Sequence, residues 1–377
     1  MSQDIRNLVP DSCTLLGLGE PTHQEPAFGA VRNELFAQLA DLGFRSIALE
    51  SDRVAAFAVN DYVLHGAGTL DAVMREGFSH DFGALEANRR LVAWMREYNE
   101  DRPEADRLTF HGFDLPTENT MAPSPRSYLE YARDYLRLDT LDIAGVAGDD
   151  HRWSRDEAIL DHTRSPGTTP EAARLHSIAE DLLTKLHARA PELIAHTSLA
   201  AWSRAKTHLD TALGLLHYHW QAAQPLAQSD RIALLLTTRD TLMARNVLDI
   251  RTAEARRGPT MLFAHNLHLQ RDASAWGSGD LSARWSGAGA ILDAFQTESY
   301  FFVASSLGRS TTLNLGEPAP DTYEARLQAR VTGWGLIPAT ELRPARTRTD
   351  TIPQQGYFPL NEATVDGADL ILHWTGA

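Results

Sequence analysis

Cysteine is almost missing from this chain. Cys13 is the one cysteine in 377 residues, so an internal disulfide is excluded and a reducing compartment is expected. It opens an apolar run, where burial raises a thiol's pKa, and it reads as a small core residue rather than a nucleophile. Basic charge is also scarce. Lys and Arg number 35 against 50 Asp and Glu, a net charge of −15. That balance argues against a nucleic-acid partner, whose phosphates call for basic patches. No apolar run approaches the roughly 18 residues of a membrane-spanning helix. No basic segment followed by an apolar stretch opens the chain as a signal peptide would. The expectation is a soluble cytoplasmic protein with no membrane partner; the oligomeric state is not readable. Three signatures of well-known chemistries are missing too. There is no Gly-x-Ser-x-Gly nucleophile elbow and no Gly-x-x-x-x-Gly-Lys-Ser/Thr phosphate loop. Gly17-Leu18-Gly19 lacks the third spaced glycine of a dinucleotide fingerprint.

What is present is a set of ionisable residues at the ends of apolar runs. Thr14-Leu15-Leu16-Gly17-Leu18 leads into Gly19-Glu20-Pro21-Thr22-His23, Ser46-Ile47-Ala48-Leu49 stops at Glu50, and Thr260-Met261-Leu262-Phe263-Ala264 stops at His265. Leu108 to Phe113 ends at Asp114. In open parallel sheets the ligand crevice lies beyond the carboxyl ends of the strands, so these residues form a site hypothesis with a geometric reason.

The first 120 residues alternate strands and helices. Phe28, Val31, Leu35, Phe36, Leu39 and Leu42 give a helix over 26–42, and further helices are read at 52–64 and 82–98. This rhythm predicts an α/β fold with a largely parallel central sheet flanked by helices. From Ser124 to about Ala223 only helical patterns occur, near 125–138, 150–163, 170–189 and 197–221. A long helix over 228–256 returns the chain to a strand at 260–264. A glycine-rich loop is expected from Asn266 to Asp280, then strands at 298–305 and 368–373. The resulting division is a discontinuous α/β core, residues 1–120 and 227–377, with a helical lobe at 121–226.

Each candidate has an ordinary structural reading beside the chemical one. Glu20 and His23 suit helix capping, since Thr22 can cap and Glu favours a helix N-terminus. Their place after a Gly-Leu-Gly strand end favours a site. His265 and His268 are loop histidines, or catalytic or substrate-binding imidazoles, or metal ligands if the segment is helical. Glu50 reads as a solvated strand end or a site carboxylate, Asp114 as a cap or a site residue, and Arg32 as an ordinary residue beside an apolar stripe. Tyr218 and Trp220, between His217 and His219, read as a pocket wall, with Trp202 and His208 nearby. Such a nucleophile-free set of His, Glu and Arg suits a water activated by histidine, a carboxylate orienting the imidazole and a cation facing the developing oxyanion.

Gly19-Glu20-x-x-His23, Arg32 nine residues on, Gly43-Phe44 before the strand ending at Glu50, and Tyr62 together resemble the opening signature of the erythromycin esterase family. Gly112-Phe113-Asp114, Arg239-Asp240-x-x-Met243-Ala244-x-Asn246, Phe263-Ala264-His265-Asn266-x-x-His268 and Asp366 to His373 are similar to its later motifs. The resemblance implies a helical lobe over an open cleft, and hydrolysis of a macrolide lactone by water, with no covalent intermediate, cofactor or obligatory metal. It implies His23 as general base, Glu20 and Glu50 orienting it and the water, Arg32 and His265 facing the oxyanion or leaving group, and His268 in support. Asp114, Tyr218, Trp220 and Trp202 join His268 as expected contacts for a bulky, largely apolar small molecule. The roles that go with it are macrolide resistance or natural-product biosynthesis. Many members carry Gly after the first histidine and Glu four residues after it. Here Gln24 and Ala27 stand there, with a carboxylate at Glu25 instead. Two other functions fit the same residues: a biosynthetic cyclisation, elimination or acyl-type reaction with His23 as proton shuttle, and a non-enzymatic binder of a small molecule or metal.

Overall fold

The run that Cys13 opens is a strand, β1 (Cys13–Glu20), at the centre of a seven-stranded sheet. The structure, a computed structural model, describes residues 3–295, 299–352 and 355–376. Glu298, expected as the first residue of a strand, lies outside them. The other strands are β2 (Ser46–Asp52), β3 (Thr109–Asp114), β4 (Thr260–His265), β5 (Ser274–Ser278), β6 (Leu281–Trp285), β7 (Ser299–Leu307), β8 (Trp334–Pro338) and β9 (Leu370–Trp374). The sheet order is β3-β2-β4-β1-β7-β9-β8, while β5 and β6 form a separate hairpin. All neighbours in the large sheet are parallel except β8, which runs antiparallel to β9 at one edge. The fold is α/β, mainly parallel and flanked by helices.

Alternation along the strands separates two apolar layers. Leu16, Leu18, Ile47, Leu49 and Phe263 point to one face, covered by the helices Pro26–Asp41, Ala56–His65 and Glu86–Asn99. Leu15, Ala48, Leu262 and Ala264 point to the other, where the helix Gln228–Glu254 lays down Met243, Ala244, Val247 and Ile250. Burial on both faces explains why these strands read as unbroken apolar runs.

Between Arg126 and Ala222 the chain is helical. The helices Arg126–Tyr135, Pro170–Ala188 and Leu199–Ala222 enclose a core of their own around Trp153. Their starts are written locally: Thr169 accepts from the Ala172 N–H with Pro170 next in line, and Ser198 accepts from the Ala201 N–H.

Two sequence expectations need correction, and one strand had none. The helix expected over 150–163 is two single turns, His151–Ser154 and Glu157–Leu160. The expected loop from Asn266 to Asp280 is instead a helical turn, Asn266–Leu269, followed by the β5–β6 hairpin. Gly279, with φ +59, supplies the left-handed residue that its two-residue turn requires. The antiparallel strand β8 had no counterpart in the sequence reading; Trp334-Gly335-Leu336-Ile337-Pro338 is too short for periodicity to speak.

Candidate active site

Parallel pairing brings the ionisable strand ends to one edge. Glu20 is in register with His265 across β1 and β4, and β2 accompanies β4 as far as Leu49 and Phe263. Glu50, the next residue, accepts the His265 backbone N–H on Oε2 at 2.8 Å. The close approach depends on Gly19. A Cβ there would lie 2.1 Å from Asn266 Oδ1. Asn266 instead passes over the end of β1 to β7, donating from Nδ2 to the Ser305 carbonyl at 2.8 Å and accepting the Ser305 N–H on Oδ1 at 3.1 Å.

His23 leaves β1 on the turn before the helix Pro26–Asp41. Its Nδ1 is 2.7 Å from Glu20 Oε1. A carboxylate only accepts, so Nδ1 carries the proton and Nε2 is the free lone pair of the neutral ring. Nε2 stands 3.8 Å from Glu50 Oε1, and 35% of the side chain remains open to the cleft. Burial disfavours the imidazolium, but the charge of Glu50 and the bond to Glu20 outweigh it and raise the His23 pKa above the ordinary histidine value.

Glu50 is the hub. Its Oε1 accepts from Arg239 Nη2 at 2.9 Å and faces His268 Nε2 at 3.3 Å. Burial opposes its charge, but His268, His23 and Arg239 hold the carboxyl well below its usual range. His268 is bracketed on its other side by Asp240, with Nδ1 at 2.9 and 3.0 Å from the two carboxylate oxygens. Asp240 also accepts from Trp285 Nε1 and the Ala288 N–H, each at 2.8 Å. Against the cost of burial, Asp240 and Glu50 push His268 up to about 10, so it is an imidazolium at neutral pH. Arg239 Nε grips Asp114 at 3.0 and 3.1 Å. Asp114, fully buried, is nonetheless held at about 2 by Arg239 and His80. His80 spans Asp114 at 3.1 Å and Glu118 at 2.7 Å, and these bonds lift it to about 9 against its burial.

His265 differs from its neighbours. Nε2 donates to the Pro21 carbonyl at 3.1 Å and Nδ1 accepts the Leu267 N–H at 3.1 Å. Burial first, then the nearby His23, lower it to about 3, so the ring is neutral with both nitrogens committed to backbone. It packs edge-on to His23, ring centroids 5.4 Å apart. Neither nitrogen is therefore free for a metal. Among the described residues no three His, Cys, Asp or Glu side chains form a metal-holding group.

Arg32 is buried on the helix Pro26–Asp41. It donates to Asn33 Oδ1 from Nε (3.0 Å) and Nη2 (2.7 Å) and to Asn88 Oδ1 from Nη1 (2.7 Å). Burial lowers its pKa to about 10, with Glu20 opposing, so it stays charged near neutrality. It lines a cavity of about 330 Å³ together with Glu20, His23 and Glu50.

The structure thus brings Glu20, His23, Arg32, Glu50, Asp114, His265 and His268 to one edge of the sheet. Tyr218 is buried against Leu115, near enough to Arg239 and Asp114 to feel their charges, and burial pushes its phenol up to about 12. Trp202 and Trp220 are elsewhere. The Trp202 indole N–H bonds the Leu186 carbonyl inside the helical cluster. Trp220 is 46% exposed and stacks on His217 beside a separate cavity. Of the residues that depart from the family pattern, Glu25 accepts from Ser310 Oγ at 2.8 Å and lines the cavity with His23. Sequence reasoning gave no site role to Arg239, Asp240, His80 or Glu118. A charged Arg-Asp pair within an apolar stretch of a long helix was the available signal for the first two. His80 had none, because its turn position carries no periodicity.

A model of the erythromycin esterase family matches residues 39–368. The chain belongs to the erythromycin esterase family. Among solved structures, a His-to-Asn mutant of the erythromycin esterase EreC in its open conformation is similar, with 19% identity and a TM-score of 0.68, over 98% of this chain and 92% of that one. A Bacillus cereus protein and a succinoglycan biosynthesis protein each give 15% identity and a TM-score of 0.69, over 99% of this chain and 90% of theirs. At these identities the likeness is one of fold. No curated protein matches the chain. Family membership places the chain with esterases, hydrolases by class, and the strand-end cluster lies within the matched span from Glu50 onward, while Glu20, His23 and Arg32 precede it.

Proposed function

We propose that this family member hydrolyses an ester or lactone with a water activated by His23. The observation that carries the reading is the state of that ring: Nδ1 fixed on Glu20, and Nε2 open to the cleft beside a carboxylate held ionised. His23 Nε2 takes a proton from water as the oxygen attacks the carbonyl carbon. The tetrahedral oxyanion faces the Arg32 guanidinium, which donates only to neutral amides and makes no ion pair among the described residues. His23 then returns the proton to the leaving alkoxide, releasing an acid and an alcohol. Glu20 holds the ring orientation. Glu50, pinned by Arg239 and His268, favours the imidazolium that forms. His265, with both nitrogens on backbone, acts by holding Glu50 through its own N–H rather than by touching substrate.

The family makes a macrolactone the first substrate to try. The substrate is in this reading bulky and largely apolar, bordered on one side by the helices of 121–226 through Tyr218. Mass spectrometry of macrolides and aryl esters incubated with the protein tests it. Addition of one water, slowed about 10²–10⁴-fold in His23→Ala, is expected; an isomeric or dehydrated product in its place would move the protein to biosynthetic chemistry.

A further inference from the structure

The cavity beside His23 does not run beneath the helices of 121–226. It runs the other way, between the first turns of the helix Pro26–Asp41 and the segment Phe82–Arg90. Gly29 and Ala30 form one wall, and Phe82, Leu85 and Ala87 the other, with Phe263 and Arg32 at the floor. The two walls meet at one level, where a Cβ on Gly29 would lie 2.8 Å from that of Ala87, so the groove between them is narrow. Leu85, at the rim, is 39% exposed with its apolar surface toward solvent.

The outer wall is rigidly held. Phe82 follows His80 and Asp81, two non-glycine residues in succession at φ +58 and +56. Such strain persists only where the surroundings over-determine it and concentrates at functional sites. Here His80 is tied to Asp114 and Glu118, and Ser79 Oγ accepts the Asp52 N–H at 2.9 Å while the Ser79 N–H bonds Ser51 Oγ at 2.9 Å. The turn therefore fastens to the ends of β2 and β3 and sets the Phe82 ring 5.1 Å from that of His23. At the floor, Arg32 spends three of its five N–H groups on Asn33 and Asn88. The other two have no acceptor among the described residues, although the side chain is buried.

We infer that this groove is the specificity subsite: it takes one slender apolar arm of the substrate, attached at an oxygen-bearing head that meets Arg32. The inference rests on the ester-hydrolase reading for the meaning of that head and fixes what the reading leaves open, namely where the substrate lies and what shape it has. At about 330 Å³ the groove sits at the small end of ligand pockets. It accepts an unbranched alkyl or aryl arm; a macrocycle enters only by a side arm, its ring staying in the open cleft. The arm belongs to the acyl or the alkoxy half of the ester, two sources with one chemistry.

Calorimetric binding of n-alkyl carboxylates from acetate to octanoate, which are product-like and need no turnover, tests the groove directly. Affinity is expected to rise about fourfold per methylene until the groove is filled. Ala30→Phe, which occupies the space, cuts the series short. Leu85→Asp, a rim change that leaves the core alone, flattens it and serves if Ala30→Phe fails to fold. The same variants lower kcat/KM at least tenfold for long-arm esters relative to acetates, in the acyl series or the alkoxy series according to which half enters. A flat wild-type series, or one unchanged in both variants, overturns the groove assignment even if esters are hydrolysed. A chain-length series in binding with no ester turned over leaves the groove in place and removes the hydrolase reading.

Discussion

Arg239 Nη2 donates to Glu50 Oε1 at 2.9 Å, although the two residues are 189 apart in sequence. The same guanidinium grips Asp114, so one cation from the long helix neutralises carboxylates from β2 and β3. Arg239→Ala leaves both buried acids without it. A loss of about 3–5 kcal/mol in stability is expected, the usual result of removing one partner from a buried ion pair. Urea denaturation measures it, and a loss below about 1 kcal/mol would show that the carboxylates find other partners.

His23→Ala should cost turnover about 10²–10⁴, the contribution of a positioned general base. Because the ring is over a third open to the cleft, the unfolding free energy should change by less than about 1 kcal/mol. A variant that keeps full activity would remove the base assignment.

The pH profile follows from the sign of the His23 shift. Glu50 and Glu20 raise its pKa despite burial, so the basic form appears only above the ordinary histidine value. kcat/KM should therefore climb with pH through an apparent pKa above about 6.5. Glu20→Gln removes one of the raising anions and should move that midpoint to lower pH. A midpoint unmoved or moved upward would mean that another group titrates.

His268 gives a stability window. Its folded pKa is about 10, against about 6.5 in an unfolded chain. The stabilisation from its charge is fully present below about 6.5 and is lost as pH rises toward 10. Wild type and His268→Gln should thus differ in urea midpoint most at pH 6 and least near pH 10. A gap that widens with pH would contradict a native imidazolium.

Dialysis against a strong chelator should leave turnover intact. Both His265 nitrogens are bound to backbone, and the guanidinium of Arg32 opposes a dication in the same cavity. Activity lost on dialysis and restored by zinc alone would reassign the water to a metal.

What the sequence made legible was the strand-end chemistry. Glu20, Glu50, Asp114 and His265 close apolar runs, and parallel pairing must bring such ends together. What it hid depends on contacts between distant segments. The only local hint that Arg239 and Asp240 form a buried hub is their charge within an apolar stretch of the long helix; their partners include groups on β2, β3 and the turn after β4. His265 kept its loop, catalytic and metal readings open in the sequence, because only the fold places Pro21 O and the Leu267 N–H against its two nitrogens. The β5–β6 hairpin was obscured by Gly277 and Gly279, which dilute an alternation that Trp276 and Ala283 still honour across the pair.

The Asn266 amide that reaches Ser305 over the end of β1 has a consequence for how the protein comes apart. It serves as an extra rung laid across three strands, adding two hydrogen bonds to the backbone ladder that already sets Glu20 beside His265. The Ser305 amide proton thereby becomes a reporter. Its rate of exchange with deuterated solvent reads out whether the edge that carries the candidate site is latched, and Gly19→Ala, which wedges a methyl under the rung, should unlatch it while the far end of the sheet keeps its protection.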